Sequence, residues 1–215
     1  MSAGLYLELE VGAAAAGLLG AALGAARVEC VLLRAIAGET IDIEAARQLV
    51  DIGQARGAAV LVAGNTRLSR KLNADGIHLD WMANALDEYV IARETLASGS
   101  IVGAEAGTSR HDAMSLAEAG ADYIGFRPSE SRHGEDDSQM RTARLELIRW
   151  WAEVTQVPCV AFDIGSPGEA AELVAADVDF VAVTLTAGTS PADAAARVAA
   201  IAGIAAGHPR TAAGG

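Results

Sequence analysis

A short phrase written three times constrains this chain more than any other feature: Ala74-Asp75-Gly76-Ile77-His78-Leu79, Ala121-Asp122-Tyr123-Ile124-Gly125-Phe126 and Val178-Asp179-Phe180-Val181-Ala182-Val183. Each copy closes a helical stretch with an aspartate and runs directly into a short apolar strand. The aspartates stand 47 and 57 residues apart, room for about two strand–helix units each time. Helix, tight turn and buried strand in succession is the pattern of a parallel barrel. The 215 residues suit a single (β/α)8 TIM barrel. In that architecture chemistry is expected at the C-terminal ends of the strands.

Strands are expected at 5–10, 28–34, 58–63, 76–80, 100–105, 122–127, 157–163 and 179–185. Helices are expected at 12–25, 41–56, 67–73, 84–97, 109–119, 141–155, 167–176 and 191–206. Ser109/Asp112, Ser166/Glu169 and Ser190/Asp193 have capping-box spacing, and Pro167 and Pro191 fit a first helical position. The barrel should span 1–206, with 207–215 a disordered tail. The polar segment from Ser129 to Met140 is long for a βα connection and, following strand 6, should sit over the mouth as a lid or binding loop.

Aromatic residues make up only 4% of the chain against 52% apolar residues overall, so the core must be built of Ala, Val, Leu and Ile. A formal net charge of −12 argues against nucleic acid or an anionic membrane as partner. Cys30 and Cys159 fall in strands and read as buried thiols, not a disulfide framework. The apolar stretch Val11–Ala26 follows Glu8 and Glu10 with no Lys or Arg before it, which is the wrong flank for a signal peptide. It also falls short of the roughly 20 residues of a membrane span. A cytoplasmic protein is expected.

The strand ends should deliver Glu10, Arg34, Asn65, His78, Asp80, Glu105, Arg127, Asp163, Thr184 and Thr186 to one mouth. So many charges at one end serve little packing purpose and point to a ligand site, although each could equally be ion-paired with a neighbour. His78 is open to two readings, a hydrogen-bonded core residue or a catalytic base. Trp81 either stacks on a ligand ring or packs on the adjoining helix. Trp150 and Trp151 read as core and surface residues within one helix. Gly165-Ser166-Pro167-Gly168 and Ala187-Gly188-Thr189-Ser190-Pro191 are either phosphate-binding loops at helix starts or ordinary capped starts.

These residues resemble thiamine phosphate synthase and its TenI-like relatives over nearly the whole barrel. The likeness rests on Ala74 to Leu79, on Gly120 to Phe126 followed by Pro128, on Val157-Pro158-Cys159-Val160-Ala161, and on Leu33-Arg34. It implies a transferase of thiamine biosynthesis that joins a pyrimidine pyrophosphate to a thiazole phosphate with Mg²⁺. Several family positions differ here. The strand 2 Gln and Lys fall on Leu32 and Ile36. The Asn-Asp-Arg after strand 3 falls on Ala63-Gly64-Asn65, or on Asn65-Thr66-Arg67 with a short gap, without its metal-binding Asp. Gly-Gln and an acidic pair become Asp80, Trp81, Met82 and Ala83. The serine after strand 5 is Glu105, the glycine before Pro128 is Arg127, and the Ile-Gly-Gly of strand 7 is Phe162-Asp163-Ile164. The Thr-rich segment ending in Lys is Ser129 to Glu135, and the tautomerase histidine would lie at Pro128.

The charges gained at Asp80, Glu105, Arg127 and Asp163 suit a rebuilt site, whereas Leu32 and Ile36 are apolar replacements that simple loss of function would also give. Arg34, His78 and Arg127 are the catalytic candidates. Asn65, Gly165, Ser166, Gly188, Thr189, Arg132 and His133 are candidates for holding a small phosphorylated ligand. Asp80, Glu105 and Asp163 are candidates for a metal, with Mg²⁺ the cofactor implied. Two readings stay open: an enzyme acting on a phosphorylated substrate, and a non-catalytic member that senses a ligand or binds a partner. Pairing into a homodimer is also left open.

Overall fold

The repeated aspartates are staples between neighbouring strands. In the computed structural model, which describes residues 2–128 and 137–207, the Asp75 carboxylate accepts from the Val60 N–H at 2.7 Å, and the Asp75 N–H donates to the Val60 carbonyl at 2.8 Å. Asp122 does the same with Val102, at 2.7 and 3.1 Å. The Asp179 carboxylate accepts from the Cys159 N–H at 2.9 Å. Glu29 makes a fourth staple by accepting from the Leu5 N–H at 2.7 Å. Each charged acceptor satisfies a backbone donor near the start of a strand. The repeat therefore belongs to the end of the barrel opposite its mouth.

Eight strands, β1 (Gly4–Glu10), β2 (Cys30–Arg34), β3 (Ala59–Ala63), β4 (Gly76–Leu79), β5 (Ile101–Glu105), β6 (Tyr123–Phe126), β7 (Cys159–Ala161) and β8 (Phe180–Leu185), pair in parallel in chain order, and β8 closes on β1. The helices are α1 (Ala15–Ala25), α2 (Ile43–Ala55), α3 (Thr66–Leu72), α4 (Ala85–Thr95), α5 (Arg110–Glu118), α6 (Asp137–Val154), α7 (Pro167–Ala175) and α8 (Pro191–Gly207). This is the single (β/α)8 barrel expected. Ser109, Ser166 and Ser190 each accept from the backbone N–H three residues on, as helix caps do.

Two boundaries move by more than two residues. α1 starts at Ala15, not residue 12, after a turn at 12–14, and its N-cap residue Ala14 makes no side-chain capping bond. α6 starts at Asp137, so the last four residues of the expected 129–140 loop are helical. Residues 129–136 lie outside those described, as do 208–215, where all but the first residue of the expected tail falls; α8 itself runs through Gly207. Cys30 and Cys159 are buried, as is Trp151, while Trp150 is partly buried and stacked under Arg110, 4.8 Å from its ring centre. Among the described residues no helix is long and apolar enough to cross a membrane.

Strand alternation sorts the apolar residues into two cores. One lies between sheet and helices. The other fills the barrel with Tyr6, Cys30, Leu32, Leu61, Tyr123, Val160, Phe162 and Ala182. Bulk inside is matched by inward glycines. A Cβ on Gly103 would run into the Tyr123 ring, and one on Gly76 into the Ile101 carbonyl. The same parity, continued past the last apolar layer, determines which polar side chains reach the mouth.

Candidate functional site

On β1 the residues sharing the inward face of Tyr6 are Glu8 and Glu10. On β2 the inward row ends at Arg34, on β4 it runs through His78 to Asp80, on β5 it ends at Glu105, on β6 it continues to Arg127, and on β8 it reaches Thr184. All of these groups except His78, which lies beneath them, line a cavity of 880 Å³ at the C-terminal end of the barrel, together with Trp81 and Asp163. Asp163 arrives by a different route. Alternation after the inward Phe162 would aim it outward, but its backbone is left-handed (φ 51°), which Asp tolerates better than most residues. Its carboxylate meets the Arg127 Nη1 at 2.7 Å.

Two arginines organise the mouth. Arg34 donates to Glu8 through Nε, and its Nη1 and Nη2 grip Asp80 at 2.8 and 2.5 Å. Arg127 donates through Nε to Glu105 and through Nη2 to Glu8, both at 2.9 Å. Its guanidinium also lies over the Phe162 ring at 4.7 Å. Glu8 is thus shared by both arginines and accepts further from the Thr184 hydroxyl at 3.0 Å. The glutamates are buried, whereas the Asp80 and Asp163 side chains are 47% and 46% exposed. Each guanidinium has a buried anchor and a half-exposed counter-ion.

Electrostatics follow this layout. Burial alone would push the Glu8 carboxyl up, but the charges of Arg127 and Arg34 outweigh it and the net shift is downward. Burial likewise opposes ionisation of Glu105. Its hydrogen bond with His78, the His78 charge and Arg127 together bring it down to about 2. Both arginines are held more firmly protonated: hydrogen bonding to Asp80 and the charge of Glu8 overcome burial at Arg34, and Glu105 and Glu8 do so at Arg127.

His78 is fully buried. Its Nε2 faces Glu105 at 3.2 Å and its Nδ1 faces the Tyr123 hydroxyl at 2.8 Å, which in turn meets the Tyr6 hydroxyl at 2.8 Å. The imidazole sits between the charged layer and the barrel's interior core, with both ring nitrogens engaged. That is the geometry of a hydrogen-bonded core histidine orienting Glu105.

The other candidates are placed as follows. Asn65 caps α3 by accepting from the Leu68 N–H at 2.8 Å, on the rim of a second cavity of 730 Å³ that shares Arg34 and Asp80 with the mouth. Ser166 caps α7, and the Gly165 N–H donates to the Glu169 carboxylate at 2.8 Å. Past β8, Thr189 accepts from the Thr186 N–H at 3.2 Å, and the Ala187 N–H donates to Glu10 at 2.8 Å. Gly188 borders open space. Both loops expected to cradle phosphate thus direct backbone donors at the protein's own carboxylates. Arg132 and His133 lie outside the described residues.

The metal candidates are not brought together as a trio. Among the described residues one group of three possible ligands clusters within 4.8 Å, and it is His78, Asp80 and Glu105, with Asp163 elsewhere beside Arg127. Arg34 holds Asp80 through two bonds, and its Nη2 lies 3.8 Å from Glu105. Arg127 holds Glu105. Mg²⁺ requires near-octahedral oxygen donors, and here it would have to expel a guanidinium from each carboxylate while taking an imidazole nitrogen as neighbour. The residues present do not fit it.

Two features escaped the sequence reading. Glu8 is the hub of the network, and its signal was available: a charge in the apolar run Gly4–Glu10, in phase with Tyr6. Arg144 and Glu169 form a buried pair under the β7–α7 loop, with Arg144 also donating to the Phe162 carbonyl. Burial shifts the Arg144 guanidinium downward. No local spacing announces that pair, because its members sit on different helices.

Fold and site together define a (β/α)8 barrel with a polar, arginine-organised mouth, and comparison with known proteins supplies the family. The family described as thiamine monophosphate synthase matches residues 9–186. A thiamine-phosphate synthase of Rhodospirillum centenum is 35% identical over 185 residues, covering 84% of this chain and 86% of that protein. One from Hyphomonas neptunium is 37% identical over 153 residues and one from Erythrobacter litoralis 35% over 139; these matches span 65% and 64% of the relatives' lengths. The thiamine phosphate pyrophosphorylase structure from Pyrococcus furiosus superposes with a TM-score of 0.75 at 21% identity, over 95% of this chain and 96% of that one, which is a likeness of fold. The chain belongs to the thiamine monophosphate synthase family.

Proposed function

We propose that the barrel mouth binds a small phosphorylated molecule through Arg34 and Arg127, and that this member of the family does not perform the family's condensation. The observation that carries the reading is the two-sided pairing of both guanidiniums. Glu8 and Glu105 hold them from the buried side in fixed orientations. Asp80 and Asp163 occupy their outer side and are half-exposed, so either can turn to water at little cost. A phosphate group brings more charge and more acceptor oxygens to the same forks. Binding is then an exchange of anions, with the aspartates as placeholders.

The same arrangement opposes the condensation. Release of pyrophosphate needs a metal and cationic side chains to neutralise charge as it develops on the leaving group. The donors here do not fit Mg²⁺. The two cations that remain are already balanced by four carboxylates. Bound ligand is therefore released chemically unchanged.

Titration with inorganic pyrophosphate, followed by calorimetry in the absence of divalent metal, tests the exchange. Wild-type protein is expected to bind, and Asp80→Asn and Asp163→Asn are each expected to tighten binding by about two- to fivefold, the worth of an exposed ion pair. Absence of binding, or affinities unmoved by both substitutions, would contradict the reading.

A further inference from the structure

We propose that the α3–α4 face is where two copies of this chain associate, each laying α3 over α4 of the other. The inference is independent of what the mouth binds. Among the described residues five large apolar side chains are exposed, and three of them, Leu86, Val90 and Ile91, are on α4, while Trp81 just before it lines the mouth. Helical rotation explains why they stay in water. Ala85, Tyr89 and Ala92 point into the barrel, so at 100° per residue Val90 and Ile91 fall on either side of the outward direction. Apolar groups gathered on one helix mark an association surface more often than a solvated one.

Charge says what covers it. Next to α4 stands α3, separated from it by a cleft of 550 Å³ lined by Arg67, Arg70, Lys71 and Thr95. Among the described residues none of these three cations has a carboxylate within ion-pair distance, in a chain of net charge −12. The outward ridge of α4 carries Asp87 and Glu94, both exposed, with no cation within ion-pair distance among the described residues. One face thus presents a basic helix and an acidic, apolar helix side by side. Thr95 lines the cleft, and Ile91 lies on the same side of α4.

A twofold axis along the cleft, parallel to the helices, makes this face complementary to itself. It lays the α3 cations of one copy on the α4 acids of the other, twice, and brings Ile91 against its own counterpart near the axis. Self-complementarity of this kind is what an isologous dimer requires. An antiparallel arrangement, with the axis across the helices, would instead set cations on cations. No other partner is needed to match both signs.

The test uses opposed charge reversals. One variant carries Arg67→Glu, Arg70→Glu and Lys71→Glu; the other carries Asp87→Lys and Glu94→Lys. All five side chains are exposed, and circular dichroism checks that each variant folds. By sedimentation velocity the wild type is expected to dimerise at micromolar concentration, and each variant alone to dimerise at least about tenfold more weakly. Mixed together, the two variants should recover wild-type association, because both contacts then pair opposite charges. As a measurement free of substitutions, α4 amides of the wild type should exchange more slowly at high protein concentration than on dilution. A wild type that stays monomeric, variants that pair as well as wild type, or a mixture that fails to recover association would each overturn the proposal.

Discussion

Glu8→Ala is expected to destabilise the fold by about 3–5 kcal/mol, the cost of leaving buried charges without their partner. Glu8 anchors Arg34 and Arg127 at once and takes the Thr184 hydroxyl as well. Its removal leaves both guanidiniums facing Glu105 from a partly buried position, with one carboxylate where there were two. In a chain of this length the melting temperature should fall by roughly 10 °C. Glu8→Gln keeps the volume and one acceptor and should lose less. Asp163→Asn, at the exposed end of the same network, should change stability by less than about 1 kcal/mol. Denaturant unfolding of the three variants makes the comparison. A Glu8→Ala protein within 1 kcal/mol of wild type would show that the network is looser than its geometry implies.

Acidification should act through the same layer. The folded-state pKa of Glu105 is about 2, below the roughly 4.3 of an unconstrained glutamate. The unfolded chain therefore binds a proton before the folded one does. The stabilisation this carboxylate contributes, on the order of 3 kcal/mol, is complete above the unfolded value and is lost as pH falls from about 4.5 to about 2. Glu8 is shifted in the same direction and should steepen the loss. Stability measured by urea unfolding between pH 6 and pH 2 is expected to fall across that window. Glu105→Gln should flatten the curve at a lower plateau. An unchanged pH profile in Glu105→Gln would remove this carboxylate from the account.

What could be read from the chain follows from which interactions are local. The aspartate-then-strand phrase marked three strand starts because the turn and the apolar run are contiguous, and the eight-unit barrel followed. Its physical role, the clamp from Asp75 to Val60 or from Asp122 to Val102, joins neighbouring strands and appeared only in the structure. Arg34, Asp80, Glu105, Arg127 and Asp163 were legible as mouth residues because each follows an apolar strand. That they might pair with one another was also legible, but which pairs with which was not, since the pairing links strands far apart in sequence. Glu8 was missed although strand alternation places it beneath Glu10 on the inward face. The β7–α7 and β8–α8 loops looked ready for phosphate on glycine and hydroxyl content alone. Glu169 and Glu10 take their backbone donors, and nothing in those short stretches says so. Asp163 reaches the mouth through a left-handed residue where the family pattern has glycine, a backbone state that composition hides.

The most direct test of the account is a thiamine phosphate assay on the wild-type protein, with pyrimidine pyrophosphate, thiazole phosphate and Mg²⁺, run beside the pyrophosphate titration on the same sample. The account predicts pyrophosphate binding and no thiamine phosphate above a control without protein. Thiamine phosphate formed by wild type and lost in Arg34→Lys would contradict it, and would mean that the arginine-paired carboxylates release their partners to serve the family's reaction.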